Sequence, residues 1–263
     1  MVNRPIMLNR IVSLAVALAL PLGAAVTPVQ ADTRFDESQK QEIRNIVRDY
    51  LIKNPEVIVE AIQEMRRRDE AAKEAATGKA IAENRDALLR NAADPVGGNR
   101  KGTATVVEFF DYNCGWCKRA YPHMLAAAKA DGNVRIVFKE YPILAPSSRL
   151  AARAALAAAK QGKYREMHDR LMRHRGALNE AKIMAVAAQA GLDIPKLKAD
   201  MAAREIEAAI DANLQLAERL GIRGTPAFVI GGKVIPGMMR ARQYPAELAR
   251  ARKECAARNA TVC

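Results

Sequence analysis

Two cysteines, Cys114 and Cys117, are separated by two residues at the junction of an apolar run and a helix-like segment. The run Thr105–Phe110 is typical of a buried strand, and the helix-like segment begins at Lys118. A thiol at a helix N-terminus faces unpaired backbone N–H groups and the positive end of the helix dipole, which stabilise its thiolate. A second thiol three positions further on can resolve a mixed disulfide. The motif therefore predicts thiol–disulfide chemistry on an α/β fold.

Two other roles are open to such a cysteine pair. It could supply half of a zinc site, but zinc requires a second ligand pair, and Cys255 with Cys263 is a poor one. It could also be an inert structural pair. The position at a strand-to-helix junction favours redox chemistry over both roles. We therefore predict no metal site, and no cofactor other than a redox-active disulfide between Cys114 and Cys117.

The first 31 residues have the pattern of a secretory signal. Arg4 and Arg10 give a positive start, Ile11–Leu20 is an apolar core, and Val29-Gln30-Ala31 offers a small-residue cleavage site. An uncleaved membrane anchor is the alternative, but the continuous apolar core is well short of the ~20 residues that a membrane span needs. Four cysteines, an even number, also suit an oxidising compartment. We expect cleavage after Ala31 and a periplasmic protein.

The chain is strongly basic, with 42 Lys and Arg against 29 Asp and Glu. In a cytoplasmic protein this excess would favour nucleic-acid binding. The export signal argues against that role, and only five Phe and one Trp are available for stacking on bases. We expect no nucleic-acid partner, and a dispersed, solvated charge is the simplest interpretation.

Asp36–Met65 has the periodicity of amphipathic helices, with a break at Asn54-Pro55 where Pro55 is well placed to start a second helix. The large apolar residues before the break fall on one stripe: Ile43, Ile46, Val47, Tyr50 and Leu51. Two such helices cannot bury much apolar surface against each other, so we expect them to pack on the main domain or on another copy of the chain. We take residues 32–65 as a helical arm and the charged, Ala-rich residues 66–93 as a solvated helical linker.

Strands and helices alternate after the turn-rich segment Asp94–Asn99, where we place the domain boundary. The predicted order is a strand at Thr105–Phe110, a helix at about 115–130, a strand at Val134–Lys139, a helical stretch at about 147–220, strands at Ala227–Ile230 and Lys233–Ile235, and a closing helix at about 244–257. This pattern indicates an α/β domain, residues 94–263, with a helical insertion in its middle.

Two segments resemble the thioredoxin-fold proteins of the DsbA type, in which a helical subdomain is inserted in the thioredoxin fold. They are Val107–Lys118, which contains the cysteine pair, and Gly221–Phe228, which contains Thr225-Pro226. The arm Asp36–Met65, with the linker behind it, is similar to the oligomerisation region of ScsC-type proteins, where a short helical arm makes the molecule a trimer. The resemblance implies a thioredoxin fold with a helical insertion, an N-terminal oligomerisation arm and a homo-oligomer.

The same resemblance implies roles for single residues. Cys114 is then the attacking thiol and Cys117 the resolving thiol. Thr225-Pro226 matches the family's cis-proline loop, which lies against the cysteines and offers backbone groups to an extended client. Trp116, next to the nucleophile, is a candidate client contact, with plain surface apolarity as the alternative.

Glu108 stands six residues before Cys114, where the family has a buried acid beneath the site. In an apolar strand a carboxyl has a raised pKa and can exchange a proton with the resolving thiolate. The alternative is a glutamate at the edge of the sheet that faces water. Cys255 and Cys263 depart from the simplest family pattern. A disulfide between them is feasible, and free or intermolecular thiols are the alternative.

Gly115-Trp116 between the cysteines is similar to disulfide isomerases rather than to DsbA, and Thr225 before the proline is similar to DsbC and DsbG. The resemblance therefore implies a disulfide isomerase or reductase that acts on unfolded or misoxidised secreted proteins. A membrane thiol reductase of the DsbD/ScsB type would keep it reduced. A DsbA-like dithiol oxidase and a copper(I)-binding or copper-protection protein are the two alternatives.

Overall fold

The computed structural model describes residues 35–257, which fall into two compact units that divide between Glu60 and Ala61. The predicted signal peptide, residues 1–31, lies outside the described residues. None of the helices between residues 35 and 257 has the length and apolar character that a membrane crossing requires.

The first unit begins with helix α1, Glu37–Lys53. Asp36 caps this helix, because its Oδ1 accepts a hydrogen bond from the backbone N–H of Gln39 at 2.8 Å. The Gln39 side chain accepts in return from the backbone N–H of Asp36 at 3.0 Å, a reciprocal arrangement that fixes the helix start. No residue of α1 is buried, and its apolar stripe is exposed to solvent at these positions: Ile43, Ile46, Val47 and Tyr50.

Helix α2, Glu56–Glu83, begins directly after Pro55, where the sequence predicts a second helix. It continues without interruption, so the predicted border between arm and linker at residues 65 and 66 coincides with no break in the helix. The end of α2 is also partly buried, whereas the sequence predicts a solvated linker there. Ile81, and Leu88 on the short helix α3 (Arg85–Leu89), are buried in the core of the second unit. The predicted linker thus contributes to that core.

The second unit contains a five-stranded sheet in the order β1-β3-β2-β4-β5. Its strands are β1 (Val96–Gly98), β2 (Ala104–Phe110), β3 (Val134–Glu140), β4 (Ala227–Ile230) and β5 (Lys233–Pro236). Strands β2 and β3 are parallel, and the other neighbours are antiparallel. All seven residues of the central strand β2 are buried, which explains why its sequence is nearly continuous in apolar residues.

Strand β1 is absent from the sequence prediction, which treats Asp94–Asn99 as a boundary. Its three residues, Val96-Gly97-Gly98, carry little strand signal of their own. They form a strand because the edge of β3 offers backbone partners, with Val96 opposite Val137. Tertiary pairing rather than local preference decides this element.

Helix α4 (Gly115–Asp131) connects β2 to β3, and α10 (Tyr244–Ala257) follows β5. Five helices form the insertion between β3 and β4: α5 (Pro146–Lys160), α6 (Tyr164–Arg173), α7 (Glu180–Gln189), α8 (Ile194–Met201) and α9 (Arg204–Arg219). The predicted α/β order with a helical insertion is therefore observed, and the closing helix has the predicted bounds.

The sheet separates two apolar clusters. Alternate residues of β2 point to opposite faces, so Val106 and Phe110 pack with α4, the insertion and α10, whereas Val107 and Phe109 pack with α9 and α3. Glu108 shares its face with Val106 and Phe110, which is the face that α4 covers. The alternation of β2 thus directs a carboxyl toward the helix that carries the cysteines.

A buried ion pair joins the segment before β1 to the middle of the sheet. Lys139 is fully buried, and its Nζ donates to the Asp94 carboxylate and to the backbone oxygen of Ala87, at 2.7 Å in the latter case. Burial lowers the pKa of Lys139 and raises that of Asp94, while the attraction between the two groups opposes both shifts. Each charge is tolerated because the other is present.

We expect Lys139→Met to lower the free energy of unfolding by about 3–5 kcal/mol, because Asp94 would stay buried without its partner. Urea denaturation followed by circular dichroism measures the change. Lys79→Met is the matched control, because Lys79 lies 3.8 Å from Glu83 on the exposed surface of α2 and should contribute little. Equal stability of the two variants would contradict the prediction.

Candidate active site

Cys114 occupies the N-cap position of α4, directly before the first helical residue. Its Sγ accepts a hydrogen bond from the backbone N–H of Cys117 at 3.2 Å. This position places the sulfur at the positive end of the helix dipole, as the strand-to-helix junction in the sequence predicts. The local sequence therefore places this thiol at the helix terminus.

The loop before β4 also contacts the sulfur of Cys114. The Thr225-Pro226 peptide bond is cis, as the resemblance implies. The Sγ of Cys114 donates to the backbone oxygen of Thr225 at 3.3 Å, although 111 residues separate the two in sequence. The structure thus brings together three of the predicted site residues: Cys114, Thr225 and Pro226.

These contacts make Cys114 acidic. The hydrogen bond with the Cys117 thiol is the largest cause that lowers the pKa of Cys114, to about 6. The Thr225 side chain and the backbone N–H groups of Cys117 and Trp116 also lower it, and burial opposes them. At neutral pH the thiolate, which is the nucleophilic form, therefore predominates.

Cys117 differs sharply from its neighbour. It lies in the first turn of α4 with no exposed surface, and burial raises its pKa far above the ordinary range of a thiol. The bond to Cys114 and the charge of Glu108 act in the same direction. One thiol of the pair is therefore ionised and the other is held protonated.

Glu108 is fully buried, so the alternative of a water-facing glutamate is wrong. Neither carboxyl oxygen has a hydrogen-bond partner among the described residues. Burial raises the pKa of Glu108 to about 8, and the charge of Cys114 contributes to the shift. A carboxyl with this pKa can take or give a proton near neutral pH.

Asp111 organises the loop that carries Cys114, a role that the sequence analysis did not identify. Its Oδ1 accepts from the N–H of Asn113 at 2.8 Å, and its Oδ2 accepts from the N–H groups of Ile143 and Leu144, both at 2.9 Å. The 32-residue separation of Asp111 and Ile143 explains why no local pattern could reveal this link.

The exposed apolar side chains of the described part of the chain after residue 65 gather at this loop. They are Trp116, Ile143 and Leu144, exposed by 57%, 39% and 52%. The guanidinium carbon of Arg119 lies 3.9 Å from the centre of the Trp116 ring, a cation–π contact that orients the ring. Exposed apolar groups that gather in this way are typical of a protein-contact surface.

Cys255 lies on α10 and is buried. Cys263 lies outside the described residues, so the pairing of Cys255 with Cys263 stays a prediction. Of the three histidines, His168 alone is fully buried, and its surroundings are described below.

The fold and the unlike pair of thiols define a thioredoxin-like oxidoreductase domain. A family model for the DsbA-like thioredoxin domain matches residues 105–249, which is more than half of the chain. A second model, for the N-terminal domain of the copper resistance protein ScsC, matches residues 39–72. The chain therefore belongs to the DsbA-like thioredoxin family, and its N-terminal segment is of the ScsC type.

Solved structures of similar proteins agree with this assignment. A thioredoxin-like oxidoreductase from Silicibacter pomeroyi is 46% identical, covering 65% of this chain and 98% of that chain with a TM-score of 0.64. BcfH of Salmonella enterica Typhimurium is 30% identical, covering 82% and 96% with a TM-score of 0.69. A linker-deletion mutant of Proteus mirabilis ScsC is 29% identical, covering 84% and 98% with a TM-score of 0.64. The predicted thioredoxin fold with an N-terminal helical arm is confirmed.

Curated relatives match a shorter part of the chain. The Na(+)/H(+) antiporter NhaA 1 of Salinispora arenicola is 33% identical over 142 residues, which is 53% of this chain and 22% of that protein. The chain thus spans about a fifth of the length of the curated relatives that it matches.

Within the reduced Cys-x-x-Cys pair we expect alkylation of Cys114 and not of Cys117, with a rate that is half-maximal near pH 6. The rate should rise as Cys114 ionises and then level off, while Cys117 stays protonated and unlabelled. Iodoacetamide labelling at a series of pH values, followed by peptide mass analysis, measures this. A midpoint near the ordinary thiol value of about 8.5 would contradict the described geometry.

Proposed function

We propose that the protein is an exported disulfide isomerase or reductase that acts through Cys114 and Cys117. The observation that carries the proposal is the contrast between an acidic nucleophile and a buried, protonated partner three residues away. Gly115-Trp116 and Thr225, which are similar to the corresponding residues of isomerases, support this direction over oxidation.

The reaction begins when the Cys114 thiolate attacks one sulfur of a client disulfide. The client S–S bond breaks, a mixed disulfide with Cys114 forms, and the other client sulfur leaves as a thiolate. In isomerisation a different client thiolate then attacks the client sulfur of the mixed disulfide and releases Cys114, with no net transfer of electrons. In reduction Cys117 attacks Cys114, the client leaves as a thiol, and the pair becomes a disulfide.

Glu108 would serve the reductive branch as a general base. Cys117 must lose its proton before it attacks, and burial opposes that ionisation. The Glu108 carboxylate, on the face of β2 that α4 covers, is suited to accept this proton and later to return one. Cys114 needs no such help, because its thiolate already predominates.

We expect Glu108→Gln to slow the resolution of a mixed disulfide at pH 8 at least about tenfold. In the unchanged protein the rate should rise with pH up to about 8 as Glu108 ionises, and the variant should lack this rise. Rapid-quench measurement of a mixed disulfide with a cysteine peptide gives the rate. Glu166→Gln, on the exposed surface of α6, is the control, and equal rates in the two variants would refute a role for Glu108.

The client would bind as an extended segment across the exposed apolar surface. This surface is formed by Trp116, Ile143 and Leu144, and the Asp111 carboxylate binds the backbone of the latter two to the Cys114 loop. The backbone of Thr225, which already contacts Cys114, would offer hydrogen bonds to the client main chain. Unfolded or misoxidised secreted proteins have the apolar, extended segments that such a surface recognises.

Further copies of the chain are proposed as the partners of the arm. Helix α1 buries none of its residues, and apolar side chains such as Ile46 and Tyr50 are 62% and 55% exposed. The match of residues 39–72 to the ScsC N-terminal domain supports this role. A homo-oligomer would present several active sites to one client and raise the effective concentration of thiols around it.

Export to the periplasm and reduction by a membrane thiol reductase of the DsbD/ScsB type complete the proposal. The signal-like pattern of residues 1–31 supports export. An isomerase must be kept reduced in an oxidising compartment, so a source of electrons is required.

Recovery of activity from ribonuclease with scrambled disulfides tests the proposal. Catalytic amounts of the reduced protein in a glutathione buffer should restore ribonuclease activity. A variant with Ile46→Glu and Tyr50→Glu should be monomeric by sedimentation and should restore much less ribonuclease activity. A variant with Gln41→Glu and Asn45→Glu adds the same charge to the opposite face of α1 and should behave like the unchanged protein.

Two outcomes would overturn parts of the proposal. No recovery, together with rapid oxidation of reduced ribonuclease, would identify a DsbA-like dithiol oxidase. A double variant at Ile46 and Tyr50 that sediments like the unchanged protein would show that the arm does not drive assembly.

Copper(I) binding is a second candidate, favoured by the match to the N-terminal domain of a copper resistance protein. Two thiols three residues apart, one of them already ionised near neutral pH, are soft ligands of the kind that Cu(I) prefers. The same two sulfurs would serve both roles, so bound copper would inhibit disulfide exchange.

A further inference from the structure

A buried polar cluster lies beside the active site and takes no part in the exchange reaction described above. Its members are Tyr112, Glu140, Tyr164 and His168, none of which is exposed by more than 7%. They come from three places in the fold: the loop between β2 and α4, the end of β3, and helix α6 of the insertion. Buried polar groups are costly unless they are bonded, so this set requires a reason.

The four groups meet at very short range. The hydroxyls of Tyr112 and Tyr164 donate to the same oxygen, Oε1 of Glu140, at 2.9 and 3.0 Å. Both hydroxyls also lie within hydrogen-bond distance of Nδ1 of His168, at 2.9 and 3.3 Å. Each phenol hydroxyl has a single proton, which it donates to Glu140. Toward His168 the hydroxyls can therefore only accept, and Nδ1–H is the donor. These bonds link all four residues, and Nε2 of His168 has no hydrogen-bond partner in the described part of the chain.

The surroundings make this arrangement rigid. The His168 ring packs against Phe110, Tyr121 and Phe138, with ring centres 4.9, 5.0 and 4.5 Å away. Burial lowers the pKa of His168 to about 3, so the imidazole is neutral across the working range of the protein. A neutral ring enclosed by aromatic side chains serves as a fixed point rather than as a proton carrier.

Tyr112 connects this fixed point to the nucleophile. It stands two residues before Cys114, and Cys114 begins α4. Asn113, between them, is tied to α5 through the hydroxyls of Ser147 and Ser148 at 3.1 and 2.9 Å. The Tyr112 hydroxyl makes the corresponding hydrogen bond to α6, through His168. The loop is therefore held to the insertion at two consecutive residues.

We propose that Tyr112 is a positioning residue for Cys114, and that its hydroxyl, bound by Glu140 and His168, fixes the nucleophile at the N-terminus of α4. The sulfur of Cys114 accepts a long hydrogen bond, 3.2 Å, from the N–H of Cys117. Such bonds weaken quickly when geometry relaxes, and the effect of the helix dipole is confined to the first turn. A looser loop would therefore stabilise the thiolate less.

The chain offers a matched pair of variants to test this role. Tyr112→Phe and Tyr164→Phe each remove one hydroxyl from the same cluster and keep the ring that fills the core. Only Tyr112 is part of the Cys114 loop. A merely structural role predicts similar losses of stability in both variants and an unchanged alkylation midpoint of Cys114. A positioning role predicts a shifted midpoint in Tyr112→Phe alone.

The measurement is the pH profile of Cys114 alkylation by iodoacetamide in the reduced full chain, with thermal unfolding as the check on folding. We expect Tyr112→Phe to raise the midpoint by roughly half a pH unit, because the thiolate loses part of its stabilisation at the helix terminus. Tyr164→Phe should leave the midpoint unchanged. His168→Phe removes one of the two partners of Tyr112 and should give a smaller rise.

An unchanged midpoint in folded Tyr112→Phe, or equal shifts in Tyr112→Phe and Tyr164→Phe, would overturn the inference. If Tyr112→Phe does not fold, His168→Phe decides, and an unshifted midpoint there overturns it. The inference rests on the proposed function only in that Cys114 is the reacting thiol. Because the alkylation assay contains no client, failed ribonuclease recovery would leave this result standing, and an unshifted midpoint would leave the exchange function standing.

Discussion

The contact of the Cys114 sulfur with Cys117, through the Cys117 thiol and its backbone N–H at the first turn of α4, is the interaction on which the chemistry depends. It exists because Cys114 is the N-cap residue and Cys117 lies one turn inside. The same geometry that stabilises the thiolate of Cys114 buries Cys117 beneath it. Two identical side chains thus acquire opposite tendencies to ionise, and the order of attack and resolution follows from that difference.

The sheet beneath α4 holds several ionisable groups that a fold of this size would normally exclude from its core. Groups on opposite faces of the sheet have separate partners. The consecutive β3 residues Lys139 and Glu140, for example, point to opposite faces. Lys139 is paired with Asp94, and Glu140 accepts from two phenols. Glu108 alone among these carboxyls has no partner in the described part of the chain. An unpartnered buried carboxyl is the one that remains free to exchange a proton, which supports its proposed role.

The two units present different kinds of apolar surface. The exposed stripe of α1 repeats along one helix face, as expected for a surface that packs on another helix. The exposed group at the active site, Trp116 with Ile143 and Leu144, comes from the first turn of α4 and the loop after β3, close to a reactive thiol. The first surface suits a defined partner such as a second copy, whereas the second suits extended and variable clients. The oligomeric isomerase that we propose would use both.

The sequence by itself determined the local parts of this protein: the strand–Cys-x-x-Cys–helix order, the helical arm with its break before Pro55, and the helical insertion with its closing helix. These follow from periodicity, capping and turn residues, which act over a few positions. Only the tertiary structure decided that Ile81 and Leu88 join the core, that Asp111 binds the Ile143–Leu144 loop, and that Tyr112 meets Glu140 and His168. The hydrogen bonds among those contacts join residues 28 to 56 positions apart. They form because the packed sheet and insertion exclude water from groups that no local pattern marks as partners.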